Sequence, residues 1–220
     1  MYRILHIDTS GEKAIVAVSE DGQMLSLRSS DDTRNHASNL NSMVDDCLES
    51  CGIILEKLNA VAVIGGPGSY TGLRIGLATA KAYCYALTIP LLMHNRLDLL
   101  ALQAVAEGDK PVLAVLPARE KEYFACLYAA SGECIIQPKH IEEEELVSLI
   151  QTQKCRVLGV LSKTIEGIVT ASHAEVIDIQ IVDSDFWAKK AFDDANCNSF
   201  VNLFSSEPFY LKHVHTHKPR

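Results

Sequence analysis

The order of predicted strands and helices constrains this fold more than any other feature, because one order occurs twice along the chain. In the first half, alternating apolar residues predict three strands, with a hairpin turn at Asp21-Gly22. Apolar residues at helical spacing then predict two helices around a further buried strand. The predicted elements are residues 3–8, 14–19 and 24–28, then 35–51, 60–64 and 71–87.

A weaker copy of the same order follows. Its predicted strands and helices are residues 112–116, 123–129, 134–137, 142–151, 156–161, 175–182 and 183–204. Gly108 to Pro111 is a turn-rich stretch between the copies, so we expect one lobe over residues 1–107 and another over 108–220. The order matches the α/β, duplicated ribonuclease-H-like architecture of the actin-like ATPases and sugar kinases.

Composition and charge narrow the classes of function. The chain of 220 residues is 48% hydrophobic and 22% charged, which is typical of a folded protein. Its net charge of −8 argues against a chain that holds nucleic acid alone. No apolar run reaches the ~18 residues of a membrane span, and Asp8 interrupts the N-terminal apolar run, so we expect a cytoplasmic protein.

The seven cysteines are not spaced as zinc ligands, because no C-x-x-C occurs. Cys47 and Cys51 lie four residues apart on a predicted helix, which leaves a metal or redox pair open there. Buried, reduced thiols are the simpler interpretation.

A glycine-rich run, Gly65 to Gly76, joins the buried strand 60–64 to the next helix. It fits neither G-x-x-x-x-G-K-[ST] nor G-x-G-x-x-G, although the N–H groups of residues 69–71 could still meet an anion at the helix start. The alternative is a structural loop. Its residues would be Gly66, Pro67, Gly68, Ser69, Thr71 and Gly72.

The helix that follows is apolar nearly all round, with Arg74 and Lys81 as its only charges. Small residues form two stripes: Gly72, Gly76, Ala80 and Cys84, and Ala78, Ala82 and Ala86. Each internal glycine costs about 1 kcal/mol relative to alanine, so close packing has to compensate. One stripe should face the lobe's own sheet, while the preceding helix, a second protein chain or both would cover the other.

Several motifs resemble the TsaB (YeaZ) family. They are Ile7 to Ser10, Arg34 to Ala37, Gly66 to Gly76, Ile89-Pro90, Ala118-Arg119 and Glu207 to Lys212. The run of 11 residues from Gly66 to Gly76 is highly specific, whereas residues 127–204 match only in general character. The resemblance therefore extends over the whole chain.

The resemblance implies an actin-like fold without catalytic activity or cofactor. TsaB proteins dock onto TsaD, which transfers a threonylcarbamoyl group to N6 of adenosine 37 in tRNA, and the ATPase TsaE joins them. The tRNA would then be a partner only through the complex, and a homodimer through the same helices is a further expectation. On that resemblance the partner interface comprises His36, Leu40, Met43, Val44, Cys47, Arg74, Ile75, Gly76, Thr79, Ala82 and Tyr83.

The resemblance also implies that a metal site is absent. TsaD-like enzymes bind a metal through a His-x-x-x-His pair just after the second helix, and the matching positions here are Arg96 and Leu100, which do not ligate metals. The tail histidines His213, His215 and His217 are not expected to hold a functional metal. Asp8 should anchor a turn. The competing hypothesis is an autonomous ATPase, sugar kinase or metalloenzyme of the same fold.

Overall fold

The computed structural model describes residues 1–31, 36–106, 108–172 and 174–211, without the side chains of residues 36–38. The first elements are β1 (Arg3–Asp8), β2 (Ala14–Glu20), β3 (Gln23–Ser30), α1 (His36–Cys51), β4 (Ala60–Gly66), α2 (Tyr70–Leu87), β5 (Leu91–Asn95) and α3 (Arg96–Val105). The later elements are β6 (Val112–Arg119), β7 (Glu122–Tyr128), β8 (Cys134–Glu142), α4 (Glu143–Gln153), β9 (Arg156–Gly159), α5 (Lys163–Ala171), β10 (Glu175–Ile177) and α6 (Ser184–Asn196). None of the helices in these described ranges is long and apolar enough to cross a membrane.

The strands form two sheets with one topology. The first has the order β3-β2-β1-β4-β5, and the second, read from its other end, has the equivalent order β8-β7-β6-β9-β10. In each sheet the first three strands of the copy are antiparallel and the later strands run parallel to the first. The predicted duplicated ribonuclease-H-like fold is therefore confirmed.

The first sheet is covered on both faces, which explains the continuous apolar runs of β1 and β4. Leu5 and Val61 lie on the face covered by α1 and α2. Ile4 and Ala62 point to the opposite face, where Trp187 of α6 packs. Successive strand residues thus alternate between two cores.

The chain divides into two compact units, and the division differs from the predicted lobes. The first unit contains Met1–Leu99 and Ile181–Pro208, and the second contains Leu100–Gln180 and, of the described residues, 209–211. The predicted boundary assigned the last helix to the second lobe. That helix, α6, belongs to the first unit because Trp187, Ala191 and Ala195 bury their side chains against the first sheet.

The second unit has its own core. Leu113 and Val157 of its parallel strands pack with residues of α4 and α5, including Leu146, Ile150 and Ile165. The second unit is therefore also an α/β unit, with helices packed on a sheet that has the same topology as the first sheet.

Three predicted elements end earlier than expected. β9 stops at Gly159, whose φ of 111° favours glycine, and β10 is only Glu175–Ile177. The helix predicted for residues 183–204 stops at Asn196, because Asn198 adopts a left-handed φ of 55°. Ser199 N–H then donates to Asp194 O and Asn198 N–H to Ala195 O, which closes the helix as a Schellman motif. The predictions missed β5, α3 and α5.

Candidate partner-docking surface

The glycine-rich loop binds the protein's own backbone. Ser69 caps α2 by accepting a hydrogen bond from Gly72 N–H at 3.2 Å, and its own N–H donates to Ser10 O at 2.8 Å. The Ser69 N–H, which the sequence left open for an anion, is therefore already used. Gly66 has a φ of 128° and precedes a cis peptide bond to Pro67.

The glycines of this segment let α2 lie directly on the end of β1. A Cβ atom on Gly68 would overlap Ser10 O, and one on Gly72 would overlap Thr9 O. Gly76 faces the Thr9 side chain with equally little space. Close approach of two backbone segments thus explains why α2 keeps two internal glycines.

The inward face of α2 is the stripe that contains Gly76. Its buried residues are Gly72, Leu73, Gly76, Leu77, Ala80 and Cys84. Gly76 therefore lies in the core of the first unit and cannot contact a partner, contrary to the sequence prediction. The reason is that β1 ends against this stripe.

The outward face of α2 is the alanine stripe. Five of its exposed residues form what we call the α2 outer face, namely Arg74, Ala78, Ala82, Tyr85 and Ala86. The predicted interface residues Ile75, Thr79 and Tyr83 are half-buried along one flank of this face. Of the α2 residues predicted to meet a partner, all but Gly76 are accessible.

Most of the α1 residues that were predicted to contact a partner are instead buried. Leu40, Met43, Val44 and Cys47 are buried in the first unit's core, and Cys47 Sγ lies 3.3 Å from Val16 O on the sheet. The apolar stripe of α1 therefore packs on its own sheet. The outward residues of α1 are polar or acidic: Asn41, Ser42, Asp45, Asp46 and Glu49. The side chain of His36 lies outside the described residues.

Tyr83 joins α1 to α2. Its hydroxyl donates to Asn41 Oδ1 at 3.0 Å. Burial raises the pKa of the Tyr83 hydroxyl, and the nearby Asp45 carboxylate raises it further. Tyr83 therefore acts as a neutral donor that holds the two helices side by side.

A segment near the end of the first unit borders the α2 outer face. Lys81 Nζ donates to Ser206 O at 2.7 Å and lies 3.4 Å from Phe204 O. The Phe204 ring meets the Tyr85 ring edge to face at 6.5 Å, although these residues are 80% and 72% exposed. The apolar surface thus extends from α2 onto a segment that no sequence pattern had connected with it.

Several residues were considered for catalysis or metal binding, and the structure shows where some of them lie. Asp8 Oδ1 accepts a hydrogen bond from Ser10 N–H at 2.8 Å, which confirms that Asp8 anchors the turn after β1. Leu100 is buried. Within the described ranges, no three His, Cys, Asp or Glu side chains are grouped as metal ligands would be. The tail histidines His213, His215 and His217 lie outside those ranges.

Comparison with known proteins agrees with the fold. Residues 29–180 match a family model described as TsaD, tRNA N6-adenosine threonylcarbamoyltransferase. The chain is 34% identical to Escherichia coli TsaB, the tRNA threonylcarbamoyladenosine biosynthesis protein, over 146 residues, which are 66% of this chain and 62% of that protein. It is 38% identical to the tRNA N6-adenosine threonylcarbamoyltransferase of Streptococcus thermophilus over 86 residues, or 38% and 26% of the two chains.

A solved structure adds to these similarities. YeaZ from Pseudomonas aeruginosa superimposes with a TM-score of 0.74 and 26% identity, over 96% of this chain and all of that one. The chain spans less than two thirds of the length of its curated relatives. With 152 residues covered by the family model, this chain belongs to the TsaD family, and its similarity to TsaB and YeaZ confirms the resemblance seen in the sequence.

Proposed function

We propose that this chain is a non-catalytic docking subunit of the machinery that makes tRNA threonylcarbamoyladenosine. It binds a TsaD-type transferase through the α2 outer face and keeps that transferase competent. The observation that carries the proposal is the exposed stripe of Ala78, Ala82 and Ala86 on a helix whose other stripe is already buried. The similarity to E. coli TsaB supports the pathway.

The chemistry of the α2 outer face favours a helix as the docked element. Alanine side chains let another backbone approach closely, and the exposed rings of Tyr85 and Phe204 offer apolar area at one end of the stripe. Arg74 at the other end stacks over the Tyr70 ring at 4.2 Å from its centroid. A partner helix with small residues would bury the stripe between these two aromatic groups.

The absence of catalysis rests on the residues after β5. Arg96 and Leu100 occupy the positions where the resemblance implies metal ligands, and neither side chain can serve as one. The glycine loop is likewise occupied by Ser10 and Thr9 of the same chain. In this proposal a TsaE-type ATPase and the tRNA join through the complex, and the chain itself uses no cofactor. In the absence of the transferase, the same face pairs two copies of this chain.

Reconstitution of the modification reaction tests the proposal. The transferase with its other components should form threonylcarbamoyladenosine only when this chain is added, and Ala82→Glu should remove that stimulation. The matched control is Ala171→Glu, on the exposed end of α5 in the second unit.

The contrary result would be chemistry by the isolated chain. If calorimetry with ATP and divalent metals shows a stoichiometric micromolar site, or if the chain alone turns over ATP, the autonomous enzyme replaces the docking subunit.

A further inference from the structure

A chain of buried and partly buried polar side chains connects α6 to the first sheet. Trp187 Nε1–H donates to His94 Nδ1 at 3.0 Å, and His94 Nε2 lies 3.1 Å from Asp194 Oδ2. Lys190 pairs with the same carboxylate at 2.5 Å. His94 is only 8% exposed, so its contact with Trp187 forms out of water, whereas the Lys190–Asp194 pair is partly exposed.

The geometry fixes the protonation state of His94. An indole nitrogen can only donate, so Nδ1 of His94 has to be an unprotonated acceptor. The imidazole proton is then on Nε2 and is donated to Asp194. A second proton on Nδ1 would set two N–H groups against each other and remove the acceptor of Trp187.

A second imidazole lies behind the same tryptophan. The ring of His6 on β1 packs against the Trp187 ring at 4.8 Å between centroids, and His6 Nε2 is 2.8 Å from Ser19 Oγ. In the described part of the chain, His6 Nδ1 has no hydrogen-bond partner. Burial, followed by the proximity of His94, lowers the pKa of His6 to about 3.

We propose that His94, Trp187 and Asp194 form an acid-sensitive latch that holds α6 against the first sheet. The latch is closed while His6 is neutral, and it opens when His6 is protonated. Opening moves Trp187 away from His94 and exposes His6 to water. The charged and titratable groups around the latch are Asp194 and Lys190 on α6, His94 on β5 and His6 on β1, whereas the β4 face carries the apolar Ile64.

The direction of the pH effect follows from proton linkage. A closed state that keeps His6 neutral binds fewer protons than an open state, in which His6 regains a pKa near 6.5. Closure is therefore fully favoured above pH 6.5 and is lost progressively as the pH falls. Lowering the pH from 7 to 5 shifts the opening equilibrium about 25-fold through His6 alone.

The latch can be tested directly, because Trp187 is the only tryptophan in the chain. Its fluorescence should be followed from pH 7.5 to pH 4.5 at a fixed low urea concentration, together with far-ultraviolet circular dichroism. We expect Trp187 emission to shift to the red before the circular dichroism signal is lost, with a pH dependence approaching one proton. His6→Gln, which keeps an acceptor and a donor for Ser19 but cannot titrate, should remove this dependence.

The matched control is His140→Gln in the second unit, where His140 pairs with Glu122 at 3.3 Å. The Trp187 emission of this variant should change with pH as it does in the wild type. Asp194→Asn, which removes the carboxylate that supports His94, should open at a higher pH and serves as the second variant if His6→Gln does not fold. Emission that changes only with global loss of structure, or the wild-type dependence in both variants, would overturn the latch.

Discussion

The Thr9 hydroxyl donates a hydrogen bond to the main-chain oxygen of Gly72 at 2.7 Å, across the junction between β1 and α2. Both groups are buried, so the bond fixes the inward face of α2 on the strand end. Gly76, one turn further along α2, faces the same hydroxyl. This contact decides which stripe of the helix is inside and leaves the alanine stripe outside.

Gly76→Ala should destabilise the first unit by about 2 kcal/mol, because the added methyl group would displace the Thr9 hydroxyl from Gly72 O. Alanine normally stabilises a helix interior by about 1 kcal/mol relative to glycine, so the expected sign is reversed. Urea unfolding measures the change.

Gly167→Ala is the matched control, since a Cβ atom at Gly167 in α5 would meet nothing within 4 Å. It should stabilise the protein. Equal effects at the two positions would show that α2 does not pack on Thr9 as described.

Leu40→Ala should lower the free energy of unfolding by about 3 kcal/mol, because Leu40 is 1% exposed in the core between α1 and the first sheet. Its effect on partner affinity, measured at a temperature where the variant is folded, should be less than twofold. Glu49→Ala on the exposed face of α1 is the control for stability. A large loss of affinity for the partner in the folded Leu40→Ala variant would show that Leu40 belongs to the interface after all.

Sequence patterns predicted the repeated order of strands and helices, although they missed β5, α3 and α5, because most strands and helices of the repeat have a clear periodicity. They could not predict which face of α2 is buried, because on a helix that is apolar nearly all round either stripe could pack in the core. Only the position of Thr9, a tertiary contact, decides between them. The same periodicity did indicate that Leu40 and Val44 share one face of α1, but resemblance assigned that face to a partner when it belongs to the core.

The unit to which α6 belongs could not be predicted from the sequence, for a different reason. The helix follows the second unit in the chain, so proximity in sequence suggested that it belongs there. Trp187 is 3% exposed, which ties α6 to the core of the first unit. Its partners His6 and His94 come from strands more than 90 residues away, and no spacing rule connects them.

Thiol labelling should separate the cysteines by burial. Burial raises the pKa of Cys84 to about 12 and that of Cys155 to about 11, so neither forms appreciable thiolate at pH 8. Cys197 is exposed at the end of α6, and we expect it to react first with an aromatic disulfide reagent. Cys197→Ser should abolish the fast phase. Rapid labelling of Cys84 in the native protein would contradict the packing of α2.

The dissociation constant for the TsaD-type transferase, compared between wild type, Ala82→Glu and Ala171→Glu, tests the docking claim most directly. A glutamate at the centre of the α2 outer face would bury an unpaired charge in the complex, at a cost of about 2 kcal/mol or more. We therefore predict that Ala82→Glu weakens binding at least about 30-fold, that Ala171→Glu leaves it unchanged, and that both variants keep wild-type stability. Equal affinity of Ala82→Glu and wild type would show that the partner binds elsewhere.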